Sequence, residues 1–172
     1  MNDEESGVRL NRLKQNEGPA LRVLPSVVND LLKEAEQIFK ERGDFTDEIL
    51  LALHSLFGKP FEKALELLES SCVVYVRCGQ GRYVVQVTGS SGTPYTLFPH
   101  VNFCSCPAYR YQVISTQKFL TCKHILAARL AEIMQKGRDL SLSVEELTRI
   151  LCAAVKFDSD GADHDPWSTH LV

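Results

Sequence analysis

The chain has 172 residues, 44% of them hydrophobic and 24% charged, one domain's length with enough apolar side chains for a core, which excludes wholesale disorder. Its apolar runs, such as Ile49 to Leu53, are far shorter than the roughly 20 residues a bilayer-spanning helix needs, so no membrane span is expected. The formal net charge of −3 hides a segregated pattern: residues 1–72 carry −5, 73–100 carry +2, 101–138 carry +5 and 139–172 carry −5, a basic middle that suits either a phosphate-facing surface or a solvated face.

Asp3, Glu4 and Glu5 are incompatible with the basic and apolar regions of a secretory signal and with an acid-poor transit peptide, so the expectation is a cytosolic or nuclear protein. Residues 1–22 are polar without a sustained period and read as a disordered acidic tail. A helical region is expected over 23–71. Pro25 and Ser26 open a helix whose apolar positions Val28, Leu31, Leu32, Ala35, Ile38 and Phe39 recur every three or four residues up to Gly43. Thr46 or Asp47 caps a second helix that ends at Gly58, and Pro60 suits the first turn of a third. The period then changes to that of strands. Cys72 to Arg77 and Arg82 to Thr88 flank a Cys78-Gly79-Gln80-Gly81 turn, and a strand near Tyr95 to Phe98 completes a three-stranded antiparallel meander. A helix is expected from Lys123 to about Lys136. Ser143 with Glu146 then forms a capping-box pattern for a last helix, with 139–156 read as the C-terminal helical segment. Residues 157–172 read as a second disordered acidic tail, in which Trp167 is available to anchor to a partner. The fold class is α+β, with the meander and the cysteine-rich stretch forming one unit over 72–138.

Six cysteines in a reducing compartment are read first for metal ligation. Cys104, Cys106, Cys122 and His124 form C-x-C-x15-C-x-H, three soft sulfurs and one imidazole, a donor set that structural zinc takes. Cys104 and Cys106 share a face of an extended segment. Cys122 and His124 would point about 200° apart in a regular helix, so Cys122 belongs in the turn before the helix and His124 in its first turn. Four protein ligands leave no open position for water, which points to a structural Zn2+ that holds the helix from Lys123 against the meander. A thiol enzyme using Cys122 and His124, or a zinc hydrolase, fits less well: H-E-x-x-H is missing and the x1 spacing suits ligation better than a nucleophile and its base.

The run Phe103-Cys104-Ser105-Cys106-Pro107-Ala108-Tyr109, followed by Cys122-Lys123-His124-Ile125-Leu126-Ala127, resembles the SWIM zinc-finger family. Its motif spans 101–127 here, with Ala127 at the motif alanine. The likeness extends through Leu24 to Val28, Leu53 to Gly58, Tyr83 to Ser91 and Leu140 to Ser143. Over 23–155 it resembles the small SWIM-domain subunits of Shu-type recombination complexes. That resemblance implies a non-catalytic nuclear protein with Zn2+ bound to the four ligands. It also implies a RecA-like recombinase paralogue as partner, in a heterodimer that promotes or stabilises filaments of the strand-exchange recombinase on single-stranded DNA in homologous recombination, including meiosis. No G-x-x-x-x-G-K-[ST] loop is present, so ATP turnover would belong to the partner.

Arg77, Arg82, Arg110, Lys118 and Lys123, interleaved with tyrosines, are the candidate single-strand contacts, whether direct or shared with a partner. An autonomous single-stranded nucleic-acid-binding zinc finger is therefore the alternative function. Ala127, Ala128 and Ala131 make a flat helix face open to two uses, docking of a partner or tight packing on the chain's own meander. Cys72 and Cys78 read as small strand residues and Cys152 as a packing residue. His54 reads as a core or helix-face group, His100, close to Cys104, as a group that supports a ligand or replaces one, and His164 and His170 carry no signal.

Overall fold

A computed structural model describes residues 19–79 and 81–155, with side-chain surroundings from residue 26 onward; residues 1–18 and 156–172, which include Trp167, His164 and His170, lie outside the described residues. Helix α1 (Pro19–Arg42) starts earlier than the sequence reading places it, so 19–22 are helical and not part of a tail. It buries Leu32 and Ala35 and exposes Lys33, Glu34 and Gln37, the segregation expected of a helix with one apolar stripe. Helix α2 (Asp47–Phe57) is capped by the Thr46 hydroxyl, which accepts from the Ile49 N–H at 3.4 Å. Gly58, at φ 59° and ψ −135°, both ends α2 and starts α3 (Lys59–Glu69). A side chain would be strained there, which is why one residue suffices for so abrupt a change of direction.

Strands β1 (Val73–Cys78), β2 (Arg82–Thr88) and β3 (Pro94–Leu97) form the antiparallel meander, with Tyr75 opposite Val85 and Val85 opposite Leu97. The sheet has a fourth member. Strand β4 (Arg138–Ser141) pairs parallel to β1 at its free edge, giving the order β3-β2-β1-β4. This corrects the three-stranded expectation and the reading of 139–156 as purely helical. All four β4 residues are exposed and none is β-branched, so strand propensity gives no signal. The pairing is set instead by Tyr75 opposite Asp139 in the ladder, by the Leu142 N–H donating to the Arg77 carbonyl at 2.9 Å, and by the Arg77–Asp139 ion pair.

Alternation along the strands divides the core. Val73, Val85, Val87 and Leu97 face a large cluster that contains Leu126 and Leu130 of α4 (Lys123–Ile133) together with the buried residues of α1, α2 and α3. Val74, Val76, Cys78 and Val84 face α5 (Val144–Val155), where Leu147 is buried and Ile150 and Leu151 are half-buried. Of the N-terminal helices, α3 is the finger helix's main neighbour and α1 also touches it, α2 packs on α1 and α3, and α5 covers the opposite face of the sheet. Cys72, the residue before β1, and Cys78, the last of β1, are both buried. Cys152 is exposed, contrary to its reading as a packing residue, because α5 turns only its Leu147 stripe toward the sheet.

Candidate metal centre

The two ligand pairs are held by different kinds of backbone. Cys104 forms an isolated antiparallel bridge with Leu97 of β3. The Ser105 N–H donates to the Thr96 carbonyl at 3.0 Å and the Thr96 N–H donates to Ser105 Oγ at 2.9 Å. The first pair is thus stitched to the sheet. Cys122 occupies the residue before α4 in extended conformation, φ −100° and ψ 164°, and His124 sits in the first turn, the arrangement that the x1 spacing requires. Between the pairs, Tyr109–Ser115 forms a π-helical turn, which no period in the sequence marks. The Thr116 N–H donates five residues back to the Tyr111 carbonyl at 2.8 Å. Asn102 closes this arm at its base: its amide donates to the Leu120 carbonyl at 3.0 Å, its side-chain oxygen accepts from the Thr121 hydroxyl at 2.9 Å, and its own carbonyl accepts from the Tyr109 hydroxyl. No periodicity marks Asn102 in the sequence, since its partners lie seven to nineteen positions away.

All four ligands are buried, and one donor atom from each lies within 4.8 Å of the others. A tetrahedral ion with bonds of about 2.1–2.3 Å sets its donors roughly 3.4–3.8 Å apart; Cys104 Sγ and His124 Nδ1 are separated by 3.8 Å. His124 Nε2 is buried without a hydrogen-bond partner. Such an orphan costs about 1–3 kcal/mol, which a strong bond at Nδ1 offsets. The sulfur electrostatics lead to the same place. Hydrogen bonds from the Cys104 and Cys122 thiols draw the Cys106 pKa far below that of a free thiol, and the Tyr109 N–H adds a bond to its sulfur at 3.2 Å. Cys104 is pushed strongly upward as the donor to Cys106, and Cys122 is pushed up to about 12, by burial first. Three sulfurs this close resist ionising together, and a divalent cation among them supplies the charge that lets all three do so. A closed shell of three thiolates and one imidazole suits a structural ion of zinc's softness and size, and it fastens β3 to α4 with no open position for a water ligand.

The other candidates are placed less uniformly. The Arg77 guanidinium lies 5.8 Å from the Tyr75 ring centre and 5.1 Å from that of Tyr83, an aromatic and basic cluster on the finger-side face. Arg82 is paired with Cys78 and therefore stands on the opposite face, so the sheet does not align Arg77 and Arg82 in one track. Arg110 and Lys118 are exposed on the arm, the Lys118 ammonium 5.6 Å from the Phe119 ring centre, and Lys123 is half-buried beside the ligands. Ala127 and Ala131 are fully buried inside the chain. They are occupied by the fold itself, letting α3 approach α4 closely, and of that face only half-buried Ala128 lines a surface groove of about 680 Å³ bounded by Val28, Leu32, Tyr75, Tyr83 and Ile125. His54 is a helix-face residue, its Nε2 2.7 Å from Glu62 Oε1. His100 is exposed and is not among the clustered ligands. Tyr95, read from sequence only as a strand residue, lies against the His124 imidazole with ring centres 4.6 Å apart. Burial raises its pKa first, and Cys106 and Cys104 add to the rise.

No protein-family model matches the chain, and no solved structure matches it significantly. Curated proteins do. The chain is 39% identical over 129 residues to the human zinc finger SWIM domain-containing protein 7, covering 75% of this chain and 92% of the human protein. It is 37% identical over 128 residues to the mouse protein of that name, covering 74% of this chain and 84% of the relative, and 35% identical over 128 residues to the zebrafish one, with 74% and 91% covered. Together with four buried ligands in the C-x-C and C-x-H order, this extent of identity makes the chain a member of the zinc finger SWIM domain-containing protein 7 family.

Proposed function

We propose that this chain is a non-catalytic, zinc-stabilised subunit of a Shu-type complex in the nucleus, which binds a RecA-like recombinase paralogue and promotes or stabilises recombinase filaments on single-stranded DNA during homologous recombination. The observation that carries this reading is the closed centre of Cys104, Cys106, Cys122 and His124 inside a chain that matches relatives of the SWIM family over nearly their whole length. A centre whose donors all come from the chain acts by holding the sheet and the finger helix in one geometry. The groove beside α1 and α4 supplies an apolar wall of the kind a protein partner covers. Among the described residues, no helix is long and apolar enough to cross a membrane.

The test is native mass spectrometry of the full chain purified from cells without chelator. One zinc ion together with a RecA-fold subunit is the expected result, and a chain that repeatedly carries zinc but no RecA-fold protein contradicts the adaptor role. The stacking of Arg77 over Tyr75 and Tyr83 favours a second reading, an autonomous binder of single-stranded nucleic acid. Binding by the isolated chain that weakens steeply with salt and is lost in Arg77→Ala supports it; absence of binding by the isolated chain dismisses it.

A further inference from the structure

We infer that the turn between β2 and β3 and the start of β3 are part of the metal centre: Gly89 in the turn and Tyr95 in the strand are positioning residues that orient the His124 imidazole so that Nδ1, not Nε2, is the ligating atom. The inference rests on the four-ligand centre and adds to it. Nδ1 lies 3.8 Å from Cys104 Sγ, while Nε2 is buried, without a partner, on the side of Gly89. The Tyr95 ring lies over the imidazole at 4.6 Å between centres and 34° between planes, which restricts rotation of His124 about its own axis.

Gly89 makes room for this stack. It is buried and its backbone is outside the left-handed region, so the position needs a glycine for space and not for backbone freedom. A Cβ there would meet Tyr95 Cε2 at 3.1 Å and His124 Nε2 at 3.5 Å. The first distance is tighter than ordinary contact and the turn cannot easily yield, because the Gly89 N–H donates to the Thr93 carbonyl at 2.9 Å and the Gly92 N–H donates to the Gly89 carbonyl at 2.9 Å. An alanine at 89 therefore displaces the tyrosine ring, and the ring carries the imidazole with it. Groups that orient a metal-bound histidine typically influence metal affinity by about 10–100-fold, and a tenfold loss is expected for Gly89→Ala.

The experiment loads the full-length chain, labelled with 15N-histidine, with 113Cd2+ in place of zinc, and reads the cadmium–nitrogen coupling by NMR. Coupling to Nδ1 of His124 is expected, and coupling to Nε2 overturns the inference while leaving the metal centre intact. A chain that takes up no cadmium or zinc at all overturns the metal reading beneath it. Chelator competition with Zn2+ supplies the second readout: Gly89→Ala binds about tenfold more weakly than the natural chain, while Gly89→Ala added to Tyr95→Leu costs nothing beyond Tyr95→Leu alone. Wild-type affinity in Gly89→Ala, or equal losses in both backgrounds, removes the role assigned to the turn.

Discussion

On its finger-side face the sheet contributes Val73, Val85, Val87 and Leu97 to a core that continues through α1, α2, α3 and α4 and includes Cys104, Cys106 and Cys122. On the other face, Val74, Val76, Cys78 and Val84 meet a single helix, with Leu147 the one buried residue it offers. The two faces are built from the same strands and differ in what organises them. The α5 side needs only apolar burial. The finger side has more apolar material, but its second wall, α4, enters through the residue that supplies Cys122, so its orientation is tied to ligand geometry. Hydrophobic contact selects which surfaces meet, and it is non-directional; a four-coordinate centre fixes the angle at which they do.

Removing the metal tests this contrast most severely. Structural zinc contributes on the order of 10–16 kcal/mol of apparent binding free energy, as large as a typical domain's whole stability. A strong chelator, or Cys106→Ser, is expected to abolish the cooperative thermal transition and open the 104–122 segment to protease. Retention of the near-UV circular dichroism of the loaded protein would show that apolar packing alone positions α4. The next largest effect compares the cores directly. Leu130, 1% exposed on the finger side, is expected to cost about 3–5 kcal/mol when replaced by alanine, and Leu147, 7% exposed on the other side, about 2–3 kcal/mol. Urea denaturation measures both. Only Leu130→Ala should also weaken metal binding; an equal loss of metal affinity in Leu147→Ala would mean that the two faces are one cooperative unit.

At the β4 edge, Asp139→Ala removes the partner of Arg77. Both side chains are about half-exposed or more, 48% and 65%, so the loss in stability is expected to stay below about 1 kcal/mol. The smallest effect is a pH dependence of α5. The Glu146 carboxylate accepts from the Ser143 N–H at 2.9 Å while the Ser143 hydroxyl accepts from the Glu146 N–H at 3.3 Å. That backbone bond holds the Glu146 pKa below its ordinary value. A pKa lowered in the folded state stabilises above the unfolded value and loses that contribution as the pH falls through the folded one. Hydrogen exchange is expected to show the start of α5 fraying in acid, with Glu146→Gln weakening the response.

Much of this was legible in particular residues. The period of Leu31, Leu32, Ala35 and Ile38, the cap at Thr46, the stop at Gly58 and the capping box at Ser143 and Glu146 are local features, and each produces its element with little help from elsewhere. Strand β4 was not legible. Its four exposed residues acquire strand geometry only by lying along β1, whose backbone was formed some sixty positions earlier. The π-helical turn at Tyr109–Ser115 was hidden for a similar reason, since its ends are held by Asn102 and by the ligands on either side.

By itself, the sequence determined the ligand set and the class of the fold. Donor chemistry belongs to the side chain, and an x1 spacing constrains geometry wherever it occurs, so Cys104, Cys106, Cys122 and His124 are readable without coordinates. Only the tertiary structure decided which ring nitrogen of His124 faces the sulfurs, that Arg77 and Arg82 part to opposite faces, and that Ala127 and Ala131 are consumed by the contact between α3 and α4. Each of these depends on strand register or helix docking, which are set by pairing and burial between segments distant in the chain and so leave no trace in local composition.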